Sequence, residues 1–163
     1  VDLDFTVRGT PAPQGSFRPV TSRSTGKPML KVSESGGFLR YRADIRSAAT
    51  ERMRERTIHV GACALYLIFA FPRPEQHWLP ANSRREQPVL RPGAPEHHDG
   101  PPDVDKLCRS VMDALTGIVY LDDAQVVALG ATKRWVDTYG AGGHTALSIR
   151  SDRQASEQEV PIQ

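Results

Sequence analysis

The sequence predicts a single domain of mixed α/β (α+β) class, in which a mixed β-sheet packs against two main helices. Three observations carry this reading. Apolar residues alternate at period two near the N-terminus, an apolar run of strand length lies at 60–71, and two stretches repeat apolar residues at helical spacing. A chain of 163 residues is the size of one domain and buries enough surface to fold without staples. Residues 1–150 are assigned to that domain and 151–163 to a polar, flexible C-terminal tail.

In residues 3–8, Leu3, Phe5 and Val7 alternate with polar neighbours, the pattern of a half-buried strand. Residues 9–19 are punctuated by Pro and Gly and read as loop. Ser24, Thr25, Gly26 and Lys27 have turn chemistry between two short extended segments, so a hairpin is expected over 17–32. Ser35, Gly36 and Gly37 break the chain. Residues 38–56 then lack Pro and Gly, and Leu39, Ile45, Ala49 and Met53 define the apolar face of a helix. The run at 60–71 is the expected central strand.

Residues 72–102 hold eight prolines and read as a long solvated loop, whose Arg84, Arg85, Arg91, His97 and His98 are candidates to reach a phosphate backbone. After Pro101 and Pro102, the apolar residues Leu107, Cys108, Val111, Met112 and Leu115 form one helical face, and Gly117 suits the left-handed position past its end. Residues 118–121 are a short apolar link. Two more strands are expected over 125–136 and 145–150, joined by a turn at 139–143.

Composition excludes several classes. The chain has no run approaching the roughly 18 apolar residues of a membrane span, and its first residues are unlike a signal peptide. Cys63 and Cys108 form no CxxC pair, which argues against structural zinc; both are expected as buried free thiols. The net charge is only +2, but residues 1–60 hold eleven Lys/Arg against six Asp/Glu. That excess permits a polyanionic partner and equally suits a solvated basic face.

The chemistry concentrates at 101–125. Asp103 and Asp105 are two apart; on an extended entry enforced by two prolines, their carboxylates face one side and repel unless a cation lies between them. A site of oxygen donors favours Mg²⁺ or Mn²⁺ over zinc. The plainer alternative is that Asp105 caps the helix and Asp103 is surface. Arg109, four residues after Asp105, is either an ordinary i,i+4 ion pair or the group that stabilises charge building on a phosphate. Asp122 and Asp123 form a second acidic pair that also suits a turn.

Together these pieces resemble the RusA family of Holliday junction resolvases. The string PDVDKL at 102–107, Arg109, MDALTGIVYLDD at 112–123, AQVV at 124–127 and Lys133, ten residues past Asp123, cover about 35 residues. Gly9 to Pro13 and the Phe17-Arg18-Pro19 stretch match the family's opening more loosely.

The resemblance implies a mixed α/β fold, a homodimer, and Mg²⁺-dependent nicking of four-way or branched DNA in recombination and repair, with Mn²⁺ as a substitute. It places the metal-binding carboxylates at Asp103, Asp105 and Asp123, and the catalytic set at these three with Arg109 and Lys133. It assigns DNA contacts to Arg18, Lys106, Arg109, Lys133 and Arg134. It further implies a cytoplasmic protein of bacterial or phage origin.

Two residues depart from the family pattern. Arg109 stands where well-studied members carry a catalytic lysine, and Lys106 where asparagine is common. Arginine keeps the charge but cannot give up a proton. Asp113 and Asp122 also match family positions and are read as helix and turn structure. The 72–102 loop is longer than in compact members. Three competing readings are a junction-binding protein with little or no cleavage, a structural cation site in an unrelated domain, and an enzyme of small phosphate esters. The lack of a Gly-rich phosphate loop weighs against nucleotide chemistry of the P-loop kind.

Overall fold

The structure, a computed structural model, describes residues 1–15, 17–22, 24–32 and 36–151. The elements run β1 (Leu3–Arg8), β2 (Phe17–Thr21), β3 (Pro28–Val32), α1 (Gly36–Arg52), β4 (Cys63–Phe71), β5 (Trp78–Leu79), β6 (Val89–Leu90), α2 (Val104–Leu115), β7 (Val126–Trp135) and β8 (His144–Ser151). The α+β architecture expected from the sequence is present. Four strands form one mixed sheet in the order β1-β8-β4-β7. β4 is central, antiparallel to β8 and parallel to β7. Of the expected tail, 151–163, Ser151 ends β8, and 152–163 lies outside the described residues.

Strand alternation decides which face of the sheet is covered. Leu3, Phe5 and Val7 of β1, Leu65, Leu67 and Phe69 of β4, and Leu147 and Ile149 of β8 are buried in one core with residues of both helices. On the opposite face Tyr66 and Ile68 of β4 remain 41% and 37% exposed. The predicted hairpin over 17–32 forms from β2 and β3, with Phe17 opposite Val32. β2 begins at Phe17, so the loop before it is shorter than its Pro and Gly content predicts.

α1 starts at Gly36 and ends at Arg52, shifted toward the N-terminus from the expected 38–56. Gly36 and Gly37 therefore open the helix and do not break the chain. Its buried face is Phe38, Tyr41, Ile45 and Ala49, and Leu39 is 49% exposed. Tyr41 sits one turn before Ile45 and gains a hydrogen bond to Thr145 of β8 at 2.6 Å, which secures its hydroxyl in the core. Its burial pushes the phenol pKa well up. Helix ends are decided by such packing more than by propensity.

α2 matches expectation closely. Of its expected apolar face Leu107, Cys108, Val111 and Leu115 are buried together with Ala114, and Met112 is partly buried. Gly117 takes φ 75°, and its N–H donates to the carbonyl of Tyr120 at 2.7 Å, turning the chain out of the helix. Arg46 of α1 donates to the carbonyl of Ala114 at 3.1 Å, placing a cation at the negative end of α2. Cys63 and Cys108 are buried free thiols, as expected.

The 72–102 segment is more structured than a solvated loop. It contains a 3₁₀ turn at Glu75–His77 and the small β5/β6 hairpin. His98 is only 8% exposed, with its ring 4.2 Å from those of both Phe71 and Trp135. Arg91 donates to the carbonyls of Gln76 and Trp78. Aromatic packing and backbone carbonyls thus occupy two of the five side chains put forward for phosphate. Among the described residues no helix is long and apolar enough to cross a membrane.

Candidate active site

A cleft of about 400 Å³ opens between α2 and β7, lined by Val104, Asp105, Cys108, Arg109, Met112, Asp123, Leu129 and Ala131. β7 is an edge strand of the sheet. Leu129 points to the helix side yet stays 48% exposed. Asp105 and Arg109 reach the cleft from successive turns of α2.

Asp123 comes from a different source, the 3₁₀ turn Asp123–Gln125 that leads into β7. Asp122 caps this turn, its side chain accepting from the N–H of Ala124 at 2.9 Å. Gln125 completes a capping box and ties the turn to the rest of the fold. Its Oε1 accepts from the N–H groups of Leu121 and Asp122 at 2.7 and 3.0 Å. Its Nε2 donates to the carbonyls of His59 and Gly61 at 3.2 and 2.8 Å. The sequence reading missed Gln125 as the anchor of Asp123. Its signal was present, an Asp followed three residues later by Gln.

Asp103 is placed differently. It is the N-cap of α2 by position but makes no capping hydrogen bond. Its carboxylate accepts from Lys106 at 2.6 Å in an exposed ion pair. That hydrogen bond and charge hold the Asp103 carboxyl below the usual carboxylate range. Asp103 does not line the cleft, whereas Asp105 does, and Asp105 is not the cap either.

The family model described as "Endodeoxyribonuclease RusA" matches residues 10–142. The chain belongs to the RusA endodeoxyribonuclease family. It is also 33% identical over 137 residues to the "Uncharacterized protein YqaN" of Bacillus subtilis (strain 168), covering 80% of this chain and 86% of that protein. Membership makes it a nuclease of a family of Holliday junction resolvases.

In this RusA-family chain the donors at the cleft suit a hard divalent cation, since two carboxylates face one space. Cys108 also lines it; burial and the neighbouring Asp105 charge push its thiol pKa up, and a soft sulfur donor suits Mg²⁺ poorly. Among the described residues no three His, Cys, Asp or Glu side chains converge to hold a metal. Asp103, the third carboxylate that the resemblance implies, is engaged by Lys106.

Of the remaining predicted residues only Arg109 lines this cleft. It has no hydrogen-bond or ion-pair partner among the described residues, so the ordinary pair with Asp105 does not form. Lys106 is committed to Asp103. Lys133 donates to the carbonyls of Gly100 and Pro102 at 2.6 and 2.8 Å. Arg134 is exposed on the outer face of β7. Arg18 lies on β2 opposite Lys31, and its side chain is outside the described residues. Asp113 stays within α2, as expected of a helix position.

Proposed function

We propose that this chain is a divalent-metal-dependent, structure-selective endonuclease that resolves four-way DNA junctions by paired symmetric nicks. Mg²⁺ is the cofactor, with Mn²⁺ as substitute, and recombination and repair are the setting. The observation that carries the reading is the meeting of Asp105 and Arg109 of α2 with Asp123, from the turn before β7, around one cleft.

Asp105 and Asp123 are the carboxylates that would hold the cation. Asp103 joins them only by giving up Lys106. A bound divalent ion lowers the pKa of water and polarises a phosphodiester. Arg109 offsets the negative charge that accumulates on the non-bridging oxygens as the phosphorus becomes five-coordinate. Its guanidinium keeps its protons throughout, so it grips phosphate and does not serve as the acid for the leaving oxygen.

Two symmetric nicks require two such clefts related by a two-fold axis, which a homodimer supplies. Recognition of branched shape through phosphate makes binding fall steeply with salt. The second reading is a junction-binding protein with little or no cleavage. Arg109 at the family's lysine position and the Asp103–Lys106 pair favour it.

The deciding experiment is cleavage of a synthetic four-way junction beside matched linear duplex, with Mg²⁺, with Mn²⁺ and with EDTA. Paired nicks in the junction alone, and only with metal, are expected. Asp105→Asn should abolish them and leave junction binding intact or tighter. Tight binding without products in either metal would establish the second reading. Normal cutting by Asp105→Asn would overturn the metal-site assignment.

A further inference from the structure

Lys133 follows Leu129 and Ala131 along the face of β7 that looks toward α2, and its Cα pairs with buried Phe69 of β4. Its ammonium is spent on two carbonyls, Gly100 at 2.6 Å and Pro102 at 2.8 Å. The second of these belongs to the peptide bond that leads into Asp103. Pro101 and Pro102 have no N–H, so these two residues offer no backbone donors with which to pair across to β7. A three-donor ammonium on a long stem supplies from the strand what the loop lacks.

Neighbouring contacts tie the same segment to the same strand. His97 bridges Arg134 in antiparallel fashion, and the Trp135 indole donates to the His97 carbonyl at 2.8 Å. His98 lies between Phe71 and Trp135. Residues 97–102 are therefore fastened along β7 at 133–135, while Asp123 sits just before the other end of that strand. One strand thus sets the separation between Asp123 and the entry carrying Asp103 and Asp105.

We propose that Lys133 is a positioning residue, which holds the Gly100–Pro102 backbone so that Asp103 and Asp105 enter α2 in register with Asp123, and that it is not a phosphate contact. The inference rests on the metal-site reading above. It has a sign that distinguishes it from electrostatics. Removing a positive charge near carboxylates by itself tightens cation binding, whereas releasing the backbone that places them weakens it.

The test uses the full-length protein with Lys133→Met, which keeps the stem and removes every donor, and Lys133→Gln, which keeps two neutral donors. Mn²⁺ affinity is measured by calorimetry without DNA. Four-way junction affinity is measured in EDTA across a salt series, and Tm is followed throughout. Positioning predicts that Lys133→Met weakens Mn²⁺ binding about ten-fold, the lower end for loss of a group that orients metal ligands. Lys133→Gln should lose less, and both should keep the wild-type salt slope.

Wild-type or tighter Mn²⁺ binding by both variants overturns the inference. So does a salt slope reduced by about 0.9 in both, the mark of one lost phosphate contact. Should Lys133→Met fail to fold, Lys133→Gln against wild type decides by the same two readouts. Asp105→Asn runs in parallel: unchanged Mn²⁺ affinity there would remove the metal site itself, a different failure.

Discussion

Arg109 offers the sharpest test of the chemistry, because it departs from the family pattern and is left free to act. It stands one turn after Asp105, faces the same cleft, and has no acceptor among the described residues. Arg109→Met removes the charge and the donors while keeping much of the apolar stem. Loss of one donor aimed at developing oxyanion charge typically costs about 10²–10³ in turnover. Arg109 is exposed at the cleft edge, where water screens it, so the lower end, roughly 100-fold, is expected.

Arg109→Lys keeps the charge and should cut within about ten-fold of wild type, either way, since charge is the shared property. The assay is single-turnover cleavage of a four-way junction at saturating protein and metal, with binding measured separately in EDTA. In that binding series, Arg109→Met should reduce the slope of log affinity against log salt by about 0.9, one phosphate contact. Wild-type turnover by Arg109→Met would refute a transition-state role. A dead Arg109→Lys would refute the charge argument in favour of a bidentate grip that lysine cannot make.

Two further perturbations separate site from scaffold. Lys106→Asn frees Asp103, so the Mg²⁺ concentration at half-maximal cleavage should fall about two- to five-fold, a modest change because the ion pair is exposed; an unchanged or higher requirement would show that Asp103 takes no part. Tyr41→Phe leaves the buried Thr145 hydroxyl without its 2.6 Å partner, at a cost of about 1–3 kcal/mol. For a chain of this size that is roughly 2–4 °C of Tm per kcal/mol. Adding Thr145→Val should recover much of the loss, since both hydroxyls are then gone, and strictly additive losses in thermal unfolding would refute the coupling.

Much of the scaffold was legible in the chain because its signals are local. The β1 alternation, the apolar stripe of α2, the prolines that precede it and the left-handed Gly117 each depend on neighbours a few residues away. The same holds for the family string at 102–135, whose length and fixed residue types sufficed to point to the RusA fold that the family match bears out. The bounds of α1 were less legible. Leu39 satisfies helical periodicity as well as a core residue would, and only the fit of Tyr41 against Thr145 selects the buried face.

Side-chain partners were the part that local pattern left open. Asp103 and Asp105 look equivalent in the sequence, yet Lys106 draws one away while α2 turns the other into the cleft. Lys133 reads as a free cation until the loop carbonyls of Gly100 and Pro102, more than thirty positions away, are seen to hold it. His98 reads as a loop histidine until Phe71 and Trp135 enclose it. Periodicity and turn chemistry report interactions across one or two turns of chain. Which charges meet, and which stay free to act, is decided by packing between segments distant in sequence, and that is settled only when the sheet and helices close on one another.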